Sequence, residues 1–468
     1  MMEKENVLSA KILKNKSFKG IIIAIVTLIV IYLGLAIYFN NHFYFGTKIN
    51  GISASGKTVE ALDTEIASLY ESYSLTLEER GDVEEIISSS DIGLKYDSQG
   101  KLEEIKNTQS ALGWILNVFK SKDYEIADVI SYDESVLNTT LKNLKAVTKE
   151  DIVEPKSATI QYIDGEYTII NEVYGNKIDP TSLNEKVSEA ILRGDETLNL
   201  DSSKCYVSPK YISTDDKVKE ACDLLKKYVS TEIKYELGND SEEVNSDIIK
   251  NWIYVDEDFN VLIDSNKVKK FVNTLSANYN TFGKTRSFTT SLGNTVTVEG
   301  GNYGWMINIS KEVEAILNII KEGQPVTREP IYVQTAASHS SNDIGNTYVE
   351  VNLTKQHLWF YKNGALVVEG DIVTGNVAQN TSTPAGTYKL NYKERDSMLR
   401  GEGYNTLVHY WMPFNGGIGI HDAYWRDAFG GQIYLTEGSH GCVNAPSEVA
   451  ATIFENIESG TAIVCYTE

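Results

Sequence analysis

Cysteine is scarce in this chain. There are four in 468 residues, Cys205, Cys222, Cys442 and Cys465. Their spacing shows no framework, which excludes a small disulfide-stapled scaffold. No CxxC or HxxxH pair accompanies them, so a zinc site lacks its three or four ligands. Basic residues are also in deficit, 43 Lys and Arg against 65 Asp and Glu, for a net charge of −22. Nucleic-acid binders neutralise phosphates with Lys and Arg, and this balance excludes one. What is ordinary is the hydrophobic content of 42% and the aromatic content of 10%, enough to build cores. A chain of this length is expected to hold about three domains.

Long apolar runs are absent except for one. Ile21 to Phe39 is nineteen residues without a charge. At a rise of about 1.5 Å per residue, a helix of that length spans roughly the 30 Å hydrocarbon core. Lys4, Lys11, Lys14, Lys16 and Lys19 precede the run and Lys48 follows it. Positive charge on that side predicts residues 1–20 in the cytoplasm and the bulk of the chain outside. A cleaved signal peptide fits less well. The run exceeds the usual apolar region, and bulky Tyr38, Phe39, Phe43, Tyr44 and Phe45 follow it instead of an A-x-A site. Residues 21–40 are expected to be an uncleaved signal-anchor, with those aromatics at the outer interface.

Residues 46–337 carry no catalytic motif, but they repeat. Tyr174-Gly175 overlays Tyr303-Gly304 without gaps for twenty residues, bringing Ile178 onto Ile307, Thr181 onto Ser310, Val187 onto Ile316 and Gly194 onto Gly323. The pattern predicts the same thing twice: an extended segment, a Thr or Ser cap, an amphipathic helix and a terminal glycine. Helical stripes also open each unit, with Val59, Leu62, Ile66 and Leu69 in one and Val218, Ala221, Leu225 and Tyr228 in the other. The expected organisation is two α+β modules, 46–208 and 209–337, the first lengthened by an insertion near Gln109–Ala127. Cys222 falls on the apolar side of its helix, so a buried thiol is expected there, with a Cys205–Cys222 disulfide as the alternative. The small polar residues of 335–346 read as a linker.

From 346 to 468 the period changes to two. Val349, Val351 and Leu353 alternate with polar residues, and Asn363-Gly364 marks a hairpin. Pro446–Ile457 is the one helical stretch, so this domain is mostly β. Near its end stands Ser439-His440-Gly441-Cys442, followed by Val443-Asn444, with Gly419-Ile420-His421-Asp422 upstream. A thiolate is a strong nucleophile, but a free Cys with a pKa of about 8.5 is mostly protonated at neutral pH. An imidazole can take that proton, and a backbone turn can offer N–H groups to an oxyanion. Gly441 removes a side chain where a carbonyl would approach. Either His440, two residues from the thiol, or His421 is a candidate base.

His421, seventeen intervening residues and Ser439-His440-Gly441-Cys442-Val443-Asn444 resemble the signature of the L,D-transpeptidase (YkuD-type) catalytic domain. His421-Asp422-Ala423-Tyr424-Trp425 and Thr383-Pro384-Ala385-Gly386 are similar to further elements of that family. The resemblance implies a β-sandwich with Cys442 at one end as nucleophile, His421 as base and Asp422 orienting it. Ser439, His440, Gly441 and Asn444 would then shape the oxyanion turn, and Tyr410, Trp411, Phe414 and Trp425 would wall a peptide groove. Phe45 to Ile52, with Gly56 and Thr58, resembles the start of the peptidoglycan-binding modules that often precede this domain. The implied activity is peptidoglycan 3→3 cross-linking through a Cys442 thioester, without metal or cofactor, with carbapenem-type β-lactams as inhibitors. The alternatives are an L,D-carboxypeptidase-type hydrolase of tetrapeptide stems and a non-catalytic, membrane-tethered wall-binding protein.

Overall fold

The computed structural model describes residues 16–117, 120–401 and 404–468. Lys4, Lys11, Lys14 and most of the expected cytoplasmic tail lie outside the described residues, as do Val118 and Phe119 of the insertion. The described chain falls into two compact units. One lies within Met1–Thr159 and Asn171–Ser213, the other is Ile160–Ile170 with Thr214–Glu468.

The first unit begins with α1 (Lys16–Asn41), whose stretch Phe18–Asn41 is long and apolar enough to cross a membrane. Of the five aromatics expected at an interface, only Tyr38 and Phe45 are exposed; Phe39, Phe43 and Tyr44 pack into protein. Then come α2 (Val59–Glu71), β1 (Ser74–Glu79), β2 (Val83–Ser88), α3 (Pro180–Arg193) and β3 (Thr197–Asn199). β1 and β2 form a hairpin, and β3 returns parallel to β1.

The second unit repeats this order with α4 (Asp216–Val229), β4 (Ile233–Leu237), β5 (Asp240–Val244), α5 (Ile309–Glu322) and β6 (Val326–Arg328), with β6 parallel to β4. The paired helices end alike, at Gly194 and Gly323 in the left-handed conformation. Their caps lie earlier than Thr181 and Ser310. Asp179 and Asn308 accept the first-turn N–H groups, because these side chains leave the helix start with an oxygen facing back. The Tyr-Gly steps also match in cause. At Gly175 (φ +66°) and Gly304 (φ +127°) a Cβ would collide with the backbone of Val153 and of Thr281.

Two features differ from the sequence reading. The hairpin 160–170, within the expected first module, packs in the second unit, where Tyr167 joins Cys222 and Leu225 in one core. Its alternating apolar face needs a partner and finds α4. The segment 335–346, expected to be a linker, is fastened to the second module at His339 and Asp343. Asp343 and Ile344 are buried, and His339 stacks on Trp305 at 3.7 Å. Cys205 and Cys222 are free and lie in separate cores, so they form no disulfide.

The C-terminal domain has two sheets around one core. β7 (Tyr348–Asn352), β8 (His357–Lys362), β9 (Ala365–Asp371), β10 (Gly386–Lys389) and β15 (Ala462–Tyr466) form the order β9-β8-β7-β15-β10. β11 (Glu394–Gly401), β12 (Tyr404–Asn415), β13 (Ile418–Asp422) and β14 (Val443–Ala445) form the other sheet in sequence order. Val351, Phe360 and Ile463 of the first sheet meet Met412, Ile420 and Val443 of the second, with Ile453 of helix α6 (Ser447–Asn456) closing one side. Asn363 and Gly364 both have positive φ, the turn their sequence predicts.

Candidate active site

β13 and β14 run parallel, with Ile420 opposite Val443 and His421 opposite Asn444. Cys442 directly precedes β14, so the pairing that buries Ile420 and Val443 in the core also sets the thiol near His421. The turn before it is tied by hydroxyls. Ser439 Oγ donates to Cys442 O at 2.6 Å and accepts from Gly441 N at 3.0 Å. Thr383 Oγ1 donates to Gly441 O at 2.7 Å and accepts from Gly375 N at 3.0 Å. Thr381 Oγ1 holds Ser439 O at 3.0 Å. Gly441 sits at φ +120°, where a Cβ would also press Ile418 Cδ1 at 3.2 Å. Conformation and space both require glycine there.

The protonation of His421 follows from its neighbours. Arg426 Nε can only donate, so the Asn444 atom it reaches at 2.9 Å is Oδ1. Asn444 Nδ2 is thereby turned to His421 Nε2, at 3.0 Å. That nitrogen must accept, which leaves the ring proton on Nδ1, donated to Asp422 O at 2.8 Å. The imidazole is therefore the neutral Nδ1–H tautomer. Burial lowers its pKa below the ordinary histidine value and the Arg426 charge adds to this, while the bond to the Asp422 backbone opposes it.

The thiol is neutral as well. Its pKa is pushed up to about 11 by burial, against a weaker pull from a Gly419 backbone hydrogen bond. Its own hydrogen bond goes to Gly417 O at 3.6 Å and not to the imidazole. Both groups face one cavity of about 240 Å³, shared with Leu399, Thr406, Trp425 and Arg426. Leu399 and Thr406 are paired across the β11–β12 hairpin, which brings that hairpin to the cavity wall.

The sequence-predicted residues distribute unevenly. Cys442, His421, Asn444, Ser439, His440 and Trp425 line the cavity, His440 as an exposed side chain. Gly441 is buried in the turn, with its N–H engaged by Ser439. Asp422 meets His421 through its backbone carbonyl; its carboxylate Oδ1 instead accepts from His409 N at 2.7 Å and Tyr410 N at 2.9 Å. The other oxygen, Oδ2, is buried without a hydrogen-bond partner. Trp411 is buried 5.9 Å from the His421 ring and packs over Gly419, outside the cavity lining. Phe414 is in the core, and Tyr410 packs on Phe454. Trp425 alone of the four aromatics reaches the cavity. Arg426 was missed in the sequence. It stands one residue past the His421–Trp425 stretch, and nothing local marks a guanidinium whose partner is eighteen residues away. Among the described residues no group of three or more His, Cys, Asp or Glu is placed to hold a metal ion.

The family model "L,D-transpeptidase catalytic domain" matches residues 346–465. The model "Putative peptidoglycan binding domain" matches twice, at 86–199 and 212–328. No curated protein matches the chain. Among solved structures, a cysteine-to-serine variant of an Enterococcus faecium L,D-transpeptidase is 34% identical, covering 53% of this chain and 100% of that one, with a TM-score of 0.44. The avibactam carbamoyl form of Ldtfm is 34% identical over 54% of this chain and 99% of that one, with a TM-score of 0.45. The E. faecium L,D-transpeptidase catalytic domain acylated by ertapenem is 42% identical over 26% of this chain and 98% of that one, with a TM-score of 0.25. With its C-terminal domain matched by the catalytic-domain model, its middle matched twice and a relative at 34% identity covered along the whole of its solved chain, the chain belongs to the L,D-transpeptidase family.

Proposed function

We propose that this protein cross-links peptidoglycan stems by acyl transfer through a Cys442 thioester. The observation that carries the reading is the His421 ring and the Cys442 sulfur facing one cavity, with His421 Nε2 turned to the Asn444 amide as an acceptor. The cavity's aromatic wall is Trp425, and its turn is fixed by Ser439 and Thr383. Substrate enters as a tetrapeptide stem. His421 Nε2, released from the Asn444 amide, takes the thiol proton as sulfur attacks the carbonyl of the third residue. With the Gly441 N–H engaged, the Cys442 N–H is the donor assigned to the oxyanion. The C–N bond to the terminal D-Ala breaks, and imidazolium returns the proton to that amine. A side-chain amine of a second stem then attacks the thioester, loses a proton to His421, and frees the thiol with a 3→3 link formed.

Asp422 orients the imidazole through its carbonyl, and His440 flanks the cavity mouth. The modules at 46–208 and 209–337 are assigned to the glycan strand or to spacing. α1 is assigned as the membrane anchor, with the N-terminus cytoplasmic and the remainder facing the wall. Carbapenem-type β-lactams are expected to acylate the same sulfur, as ertapenem acylates the E. faecium domain.

The test is mass spectrometry of the products from the full chain and a disaccharide-tetrapeptide. A dimer lacking one D-Ala supports the transferase. Monomer lacking D-Ala, without dimer, makes the protein a hydrolase. No product and no Cys442 adduct leaves a wall-binding protein.

A further inference from the structure

The insertion that lengthens the first module contains a six-residue 3₁₀ segment, Ala111–Leu116. It is the longest apolar stretch of that insertion. Leu112 is 59% exposed, Ile115 53% and Leu116 73%, while Trp114 is buried. The segment lies against α1. Trp114 packs with Ala36 and Phe39, and Trp114 and Ile115 share one apolar cleft with Ile25, Leu28, Ile29 and Tyr32.

Polar groups at this junction are matched across the two elements. Tyr32 lies two residues past the centre of the apolar run, where a lone hydroxyl in hydrocarbon would cost several kcal/mol. Its OH donates to Leu112 O at 2.5 Å, and Trp114 Nε1 donates to Tyr32 O at 3.2 Å. Two further carbonyls of the segment, Gly113 O and Trp114 O, and that of Ser110 just before it are also occupied. Ser110 O accepts from Tyr44 OH, Gly113 O from Asn117 Nδ2 at 3.1 Å, and Trp114 O from Asn117 N at 2.9 Å. Irregular backbone survives at membrane depth only when its groups are satisfied in this way. Seven residues separate Tyr32 from Phe39, which at about 1.5 Å each puts the contact roughly 10 Å inside the apolar run. Exposed Lys120 and Lys122 follow, at the end of the segment that returns to the module.

We propose that Ala111–Leu116 inserts into the outer half of the bilayer beside α1, a second membrane contact that does not span. This rests on the reading of α1 as a membrane anchor. The occupant of the exposed Leu112, Ile115 and Leu116 face is lipid acyl chain. The face continues the lipid-exposed surface of Ile25, Leu28 and Ile29, and hydrogen bonds to Tyr32 fix its depth. Three leucine and isoleucine side chains would otherwise face water together on one short segment.

The experiment uses the full chain with Cys442→Ala, the other cysteines being buried. Single cysteines replace Leu116, Ile29 or Ile86 and carry an environment-sensitive fluorophore. Ile86 is 64% exposed on the β1–β2 hairpin. The protein is reconstituted in vesicles of phosphatidylethanolamine and phosphatidylglycerol, with or without lipids bearing a doxyl quencher high on the acyl chain. The expected result is quenching and a blue shift at 116 matching those at 29, with neither at 86. A label at 116 that behaves like 86 while 29 is quenched overturns the inference and leaves the anchor standing. A label at 29 that is itself unquenched overturns the anchor reading. Burial of 116 by a second protein copy would give a blue shift without doxyl quenching, and that also overturns the proposal.

Discussion

Arg286 and Arg426 each order a set of polar groups within the second unit, but to different ends. Arg286 is buried and paired with Asp343 at 2.7 Å, and it also donates to Thr281 O, Lys284 O and Tyr303 O. Asp343 is further held by Thr281 Oγ1 at 2.6 Å. The guanidinium and the carboxylate meet each other, and the network ties the second module to the 335–346 segment. Arg426 is half-buried and forms no such closed set. Its Nη2 donates to Glu437 O at 3.0 Å, and its Nε begins a chain through Asn444 that ends on a histidine lone pair. The first network is charge-paired and finished. The second is neutral at its far end and terminates on His421 Nε2, the atom assigned as base in the proposed reaction. The two networks differ in where the last hydrogen bond goes: the first ends on a carboxylate, the second on the imidazole of the proposed base.

Mutations separate the two, and the largest effect should come at the open end. His421→Ala should lower Cys442 acylation by about 10²- to 10⁴-fold, the usual worth of a general base, with little change in melting temperature. Asp343→Ala should do the reverse. A buried guanidinium left without its carboxylate costs about 3–5 kcal/mol, seen in denaturant unfolding of the second unit, with chemistry retained in whatever folds. Equal loss of both properties in either variant would erase the distinction.

Asn444→Ala removes the amide that presets the ring. The rate should fall by an amount equivalent to about 1–3 kcal/mol, read from β-lactam acylation kinetics. Arg426→Met should act through pH. Burial and the Arg426 charge hold His421 low, so the neutral base persists below the ordinary value of about 6.5. Removing the charge moves the acid limb of the acylation profile to higher pH. A limb that stays put would show that the guanidinium serves only to fix Asn444.

The smallest effect sharpens the contrast from the first unit. There Arg80 donates to Gly175 O at 2.8 Å, at the equivalent Tyr-Gly step, but its carboxylate, Asp201, is 57% exposed. Asp201→Ala should cost less than about 1 kcal/mol, because solvent already screens the pair.

The chemical part of the molecule was the most legible in sequence. Cys442, His421 and Asn444 stand out because a short motif carries them, and the structure sets them in one turn and on two adjacent strands around one cavity. The duplication was legible too, since each copy must cap a helix, bury a stripe and pass backbone past a glycine. What stayed hidden depends on long-range pairing. Arg426, the role of the Asp422 carbonyl and the burial of Trp411 follow from which strand lies beside which. The hairpin 160–170 has a clear alternating pattern, but the pattern does not say whose core it completes. Segment 335–346 looks like a linker by composition, and only the position of Arg286 turns Asp343 into a clasp.

The central claim is that Cys442 carries the acyl group. Intact-protein and peptide-level mass spectrometry of the full chain, mixed with tetrapeptide stem and quenched in acid, reads it directly. The expected result is a tripeptide-acyl adduct on the Cys442 peptide, lost on adding an amine acceptor and absent in Cys442→Ala. Product formation by Cys442→Ala, or an adduct on any other residue, would contradict it.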